Sequence, residues 1–329
     1  MKLGSAAIRR IRRLYVASGL QAALPHRLKT DVRGGWLPVA RAIGYPVSSP
    51  LRPRPPLVAD RTPMRLGRVL MACDLNREYL DYWPSVRRAW LDIVGLEPLL
   101  LLIANDEDVP DELRSDELVV PFAPIEGVHP ALQAQCVRLL YAAVIDTEDA
   151  VLISDIDLYP LRPSYFLDPI KLLDSRFFVT YRDVYLGRSM VSMLFNAARP
   201  ETWSALFRVS TLDEVRAQLM AWTSGVEYVC DRGNTGWYTD QQLLYRALTS
   251  WPEAGRRWWA MDDDYTNHNQ LDRLELEDED GLTAERQAGI LAQAYSEYVC
   301  LFPYEEHREV NDLVLSLALE AARRHRRHV

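Results

Sequence analysis

Ten residues at positions 151–160, VLISDIDLYP, constrain this chain more than any other stretch. Val151, Leu152 and Ile153 are bulky and consecutive, which predicts a strand covered on both faces, as in a parallel sheet. The run ends in two carboxylates, Asp155 and Asp157, one residue apart. Side chains at i and i+2 of a strand share a face, so the acids are expected about 6 to 7 Å apart. At an effective dielectric near 20 their repulsion is about 2 to 3 kcal/mol, which a bound cation removes. Ligands of open α/β sheets sit outside the carboxyl ends of the strands, where this pair would lie. The plainer reading, two acids solvating a strand end before Pro160, is outweighed by the flanking sequence.

The rest of the chain carries the same architecture. A first strand is expected over 68–73, followed by a polar loop and a helix over 79–94 with Trp83, Val86, Trp90 and Ile93 on one face and Gly95 as its stop. Strands follow over 98–104 and 118–122. A helix over 129–145, with Leu132, Cys136, Leu140 and Ala143 inward, leads into the central strand. Beyond the acid pair come strands over 177–181 and 193–196, helices over 200–209 and 211–222, and an amphipathic helix that ends near Trp251. Strands alternating with helices predict an α/β fold, a mostly parallel central sheet flanked by helices.

Charge divides the chain unevenly. Residues 1–65 hold 13 Lys or Arg against two Asp, a net of +11, which leaves −19 for the remainder of a chain whose total is −8. So acidic a body is a poor general binder of nucleic acid, because phosphate contacts supply most of that affinity. Three segments are expected: a basic extension over 1–64, an α/β catalytic domain over 65–312, and a helix with a basic tail over 313–329. In the extension, a helix over 5–23 sets Ile8, Ile11, Leu14 and Tyr15 beside Arg9, Arg10, Arg12 and Arg13. It suits either peripheral contact with a membrane surface or packing on the body. A Pro-rich linker follows. Cys73, Cys136, Cys230 and Cys300 form no CxxC pair and no apolar run reaches the roughly 20 residues of a span, so a cytoplasmic setting is expected, peripheral to the inner membrane if the helix docks there.

Five segments, VLMACDLNREY, QAQCVRLLYAAVI, VLISDIDLYPL, SMLFNAARPETW and GWYTDQQLL, run in this order over about residues 66–250. Their order resembles the GT-A fold of nucleotide-sugar-dependent glycosyltransferases, in particular bacterial and viral members. The resemblance implies a hexosyltransferase that moves a sugar from a UDP- or GDP-sugar to a hydroxyl acceptor, with surface polysaccharide or glycolipid the first expectation. It implies that Asp155 and Asp157 hold Mn²⁺ or Mg²⁺ on the donor diphosphate, with Asp155 also near the ribose. Ala72, Cys73 and Asp74 fall where the family cradles the base. Arg138 falls where a family arginine approaches the acid pair, although an interhelix salt bridge explains it equally well. Asp240 resembles the acceptor-side carboxylate, a general base in an inverting enzyme, against the plainer role of helix cap. Gln241 would bind sugar hydroxyls, and Trp237 would stack on a sugar face or belong to the core. Trp258 and Trp259 read as core.

One position departs from the family pattern. A C-terminal His often completes the metal site in the family, and Val299 stands where it would fall, so either His307 or His268 substitutes or the metal keeps extra water. The departure keeps open a catalytically degenerate scaffold that binds glycan or nucleotide. A haloacid dehalogenase phosphatase is disfavoured, because Tyr159 stands where Thr or Val is needed and the only lysines are Lys2, Lys29 and Lys171. A sugar-nucleotide pyrophosphorylase would need a Gly-rich phosphate loop near the first strand, and none is present.

Overall fold

The structure, a computed structural model, describes residues 62–230, 233–277 and 281–326; the basic helix over 5–23 and its linker lie outside them. Strands β1 (Leu66–Asp74), β2 (Glu97–Ile103) and β3 (Val119–Phe122) come first, with helix α1 (Trp83–Ala89) between β1 and β2. Helix α2 (Pro130–Tyr141) leads to β4 (Ala150–Ile153) and β5 (Leu158–Pro160). Then come β6 (Phe178–Thr180), β7 (Asn196–Ala198), α3 (Pro200–Phe207), α4 (Leu212–Thr223) and α5 (Thr239–Ser250). The last are β8 (Trp258–Ala260), β9 (Gln270–Leu271), β10 (Glu297–Val299) and α6 (Arg308–Arg326).

Seven strands form the main sheet in the order β3-β2-β1-β4-β7-β6-β8, parallel except for β7, which runs against both neighbours. Strand alternation explains why its sequences read as unbroken apolar runs. Val69, Met71, Leu100, Leu102 and Leu152 join one core with α1 and α6, whereas Leu70, Leu101, Ile103, Val151 and Ile153 join another with α2, α3, α4 and α5. Both faces are covered, so both alternate positions must be apolar. Trp90 sits in the first core with its ring centroid 4.9 Å from that of Phe166 and 6.2 Å from that of Phe195. Trp258 and Trp259 are buried, as expected.

The sheet is wound in both directions from its middle. From β1 the chain steps outward to β2 and β3, then returns through α2 to β4 on the other side of β1. A crevice therefore opens between the carboxyl ends of β1 and β4, where connections leave in opposite directions. A second sheet, β5-β10-β9, sets residues 297–299 beside the segment that follows the acid pair, with Val299 opposite Leu158.

The structure corrects several expectations. The helix over 79–94 is divided into Arg77–Leu80, α1 and a π-helical turn at Trp90–Val94. Pro84 lies in the first turn of α1, where its missing N–H costs least, and so marks a restart. Gly95 ends the π-turn at φ +83, left-handed as glycine permits. The strand expected over 193–196 forms at Asn196–Ala198 instead, because Phe195 turns left-handed at φ +65 and breaks the extended run. The short strands β5, β8, β9 and β10 were not anticipated.

Candidate functional site

The acid pair is not on a strand. Strand β4 stops at Ile153, and Asp155–Asp157 form the turn between it and β5. The same-face geometry of i and i+2 on a strand therefore does not apply. Each carboxylate instead takes its own cation. The Arg138 guanidinium, projecting from α2, bonds Asp155 Oδ1 through Nη1, which also donates to the Ser154 carbonyl at 3.1 Å. Arg273 bonds Asp157 Oδ2 through Nη2. The second oxygen of each acid, Asp155 Oδ2 and Asp157 Oδ1, has no hydrogen bond from the described residues.

These arginines do not fill the crevice. A cavity of about 840 Å³ opens at the carboxyl ends of β1 and β4. That is room for a ligand of nucleotide-sugar size, since small-molecule sites run from about 300 to 1,000 Å³. Ala72, Cys73 and Asp74 line it at the end of β1, and Arg138, Asp155 and Asp157 line its floor. Trp237, Asp240 and Gln241 line the side formed by the start of α5. The nine residues are thus brought together. Cys73 is itself buried, and burial, then Asp74 and Asp157, push its thiol well above the ordinary value.

Asp240 is 3 % exposed. Its Oδ2 accepts from Arg138 Nη2 at 3.2 Å and its Oδ1 from the Gln241 backbone N–H at 2.7 Å. The neighbouring Thr239 hydroxyl donates to the Gly236 carbonyl and caps nothing. Burial pushes the Asp240 carboxyl up to about 6; Arg138 pulls it down, and Asp155 adds to the rise. For Arg138, burial acts to lower the pKa, but Asp155 and Asp240 outweigh it and raise it, so the guanidinium stays charged. One arginine thereby ties two carboxylates from distant parts of the chain.

The loop before α5 owes its path to one glycine. Gly236 has φ +80, and a Cβ there would lie 2.5 Å from the Glu227 carbonyl oxygen. That close approach brings Tyr228 and Trp237 together as stacked rings, centroids 6.5 Å apart and 16° between planes.

Sequence reasoning missed Arg273, Tyr79, Tyr228 and Arg188, all of which line the cavity. For Arg273 a signal existed: it is the one basic residue between Arg257 and Arg286, in a stretch crowded with acids. The histidine expectation is corrected. His307 sits on the turn Glu305–His307 and does not line the cavity. His268 is held by the fully buried Glu297 through Nε2 at 2.5 Å and does not line it either. Val299 does line it, an apolar side chain where a third ligand was sought. Among the described residues no three His, Cys, Asp or Glu side chains gather as a metal site.

No family model matches this chain, and no curated protein matches it. Solved structures show a partial likeness to it, and the three described next are glycosyltransferases. GlyE of Streptococcus pneumoniae TIGR4 shares 14% identity over 78% of this chain and 62% of its own, at a TM-score of 0.43. The galactosyltransferase LgtC, in complex with donor and acceptor sugar analogs, shares 11% over 76% and 95%, at 0.38. The bifunctional WbbM shares 8% over 80% and 50%, at 0.41. The chain thus spans less than two thirds of the length of GlyE. With every one of these TM-scores below 0.5, fold and chemistry alike must be read from the residues of this chain.

Two carboxylates with one unengaged oxygen each fit a Mg²⁺ or Mn²⁺ ion of the kind that takes one or two protein ligands and completes its shell with substrate phosphates and water. They do not form a closed protein cage. Around the whole cavity, five Asp face three Arg among the described lining residues, a formal excess of two negative charges. A diphosphate entering alone would be repelled.

Proposed function

We propose that this protein transfers a sugar from a nucleoside diphosphate donor to a hydroxyl acceptor, in a reaction that depends on Mn²⁺ or Mg²⁺. The observation that carries the reading is the acid pair at the β1/β4 crevice. Asp155 and Asp157 open onto a cavity large enough for the donor, with a third, buried acid beside them. Asp155 and Asp157 would hold the ion, whose charge stabilises the departing diphosphate. Arg138 and Arg273 fix the two carboxylates in position. Ala72, Cys73 and Asp74, with Tyr79, form the wall for the base, and the side formed by Trp237, Gln241 and the start of α5 receives the acceptor.

Asp240 is the general base. Its carboxyl is ionised above about pH 6, both oxygens are oriented by hydrogen bonds, and it lines the cavity that would take the acceptor. Trp237 and Tyr228 offer flat aromatic faces to sugar rings. The acceptor class that we favour is a surface polysaccharide or glycolipid.

Calorimetry with UDP and GDP, with and without Mn²⁺, tests the reading, followed by a panel of nucleotide sugars scored for released nucleotide. Binding of one nucleotide that strengthens with Mn²⁺ is expected. If neither binds under any condition, the transfer reading fails and the scaffold reading, which Val299 and the missing third ligand favour, takes its place.

A further inference from the structure

Residues 270–273 set polar side chains on one wall of the cavity. Gln270, Asp272 and Arg273 line it, while Leu271 between them is fully buried in the core, the alternation that an extended segment imposes. Strand β9 pairs with β10, β10 pairs with β5 directly after the acid pair, and Arg273 bonds Asp157. This wall therefore stands beside a carboxylate that would hold the ion. The transferred sugar hangs from the phosphate that such an ion binds, so the wall is placed to meet it.

Gln270 does not choose its own orientation. The Arg182 guanidinium, its side chain 14 % exposed, is locked by Asp263, to which Nε and Nη2 both donate at 2.9 Å. Its remaining arm, Nη1, donates to Gln270 Oε1 at 3.4 Å. A guanidinium has donors only, so the amide turns its oxygen to Arg182 and keeps its two N–H for the cavity, with no hydrogen bond to the described residues. Asp272 offers the opposite polarity. Its Oδ1 accepts from the Leu274 N–H at 3.0 Å, and its Oδ2 has no hydrogen bond or ion pair among the described residues. A sugar hydroxyl both donates and accepts, so an amide N–H and a carboxylate oxygen two residues apart suit a hydroxylated sugar edge. A carboxylate on the ligand would instead meet Asp272, in a cavity where five Asp already face three Arg.

We infer that Gln270 and Asp272 select the transferred sugar, accepting a neutral hydroxylated hexose and rejecting a uronic acid, with Arg182 as the residue that positions the Gln270 amide. The inference rests on the transfer reading above and adds the class of sugar to it.

Calorimetry on the full chain with Mn²⁺ compares UDP-glucose, UDP-galactose and UDP-glucuronic acid with UDP, and GDP-mannose with GDP; the difference within each set isolates the contact made by the sugar. At least one neutral donor is expected to bind more tightly than its bare nucleotide, and UDP-glucuronic acid no more tightly than UDP. Asp272→Asn keeps an oxygen for the Leu274 N–H, and Gln270→Glu keeps one for Arg182, so both should fold and bind bare nucleotide as the native chain does. Each should weaken the favoured donor about tenfold as a hydrogen bond to the sugar is lost, and Asp272→Asn should strengthen UDP-glucuronic acid relative to UDP. Arg182→Lys, which replaces the fork by a single ammonium, should reproduce the Gln270→Glu loss with bare-nucleotide affinity unchanged, a pattern that general loosening of the wall would not give. Neutral donors that bind no better than nucleotide, a preference unchanged in both Gln270→Glu and Asp272→Asn, or UDP-glucuronic acid as the tightest ligand overturns the inference, while the bound nucleotide leaves the transfer reading standing. If UDP and GDP both fail to bind, the transfer reading falls and takes this inference with it.

Discussion

Asp240 makes opposite demands on stability and on turnover, and that opposition can be measured. Its carboxyl is raised from 3.8 to about 6 in the folded protein, chiefly by burial. Between those values the folded state holds a proton that the unfolded state has released. Stability is therefore fully present below about pH 4 and falls as pH rises through 6. Two pH units at about 1.36 kcal/mol each put the loss on the order of 3 kcal/mol. Activity should run the other way, rising about tenfold per pH unit to a plateau above pH 6 as the base ionises. Asp240→Asn keeps an acceptor oxygen for Arg138 but cannot titrate. Urea unfolding of both proteins from pH 4 to 7 should show a steeper fall for the native chain than for the variant, the difference approaching that value. Nucleotide release in the presence of acceptor should drop by about 10² to 10⁴ in the variant and lose its acid limb. Parallel stability curves would refute the burial argument, and unchanged transfer would remove Asp240 from the mechanism.

Other substitutions probe the neighbouring parts. Asp157→Asn should abolish Mn²⁺-dependent nucleotide binding while far-UV circular dichroism stays native; unaltered calorimetric binding would rule out the metal assignment. Arg138→Met leaves the buried Asp240 carboxylate uncompensated, and a loss of about 3 to 5 kcal/mol in urea unfolding at pH 7 is expected. Gly236→Ala must accept a left-handed backbone at about 1 to 2 kcal/mol and push against the Glu227 carbonyl, so nucleotide release should fall before thermal stability does. Trp90→Ala empties the aromatic cluster and should cost about 3 to 5 kcal/mol by denaturant titration.

Where the sequence could be read, burial made it legible. The unbroken apolar runs of β2 and β4 reported a sheet covered on both sides, and the spacing of Trp83, Val86 and Trp90 reported the face of α1. Strands β5, β9 and β10 hold two or three residues each, too few for a period to show. The acid pair was located but its setting was misread, because nothing in VLISDIDL says that the strand stops two residues before Asp155. Phe195 misplaced β7 for a similar reason: a left-handed aromatic residue leaves no mark in composition. Arg138 and Asp240 were each picked out, but their bond spans 102 residues and belongs to tertiary structure alone. Arg273 was hidden by its acidic neighbours, although a single cation among acids is the kind of residue that a buried carboxylate recruits.

The last helix, α6, packs against α1 and the π-turn, and the Ser85 hydroxyl meets that of Tyr304 at 3.0 Å across 219 residues. During synthesis the N-terminal side of the sheet therefore waits, with its tryptophans uncovered, until α6 has left the ribosome. Chaperone dependence and aggregation of C-terminally truncated chains are the cellular marks of that delay. Shortening α6 from its end should lower soluble yield long before any change reaches the crevice.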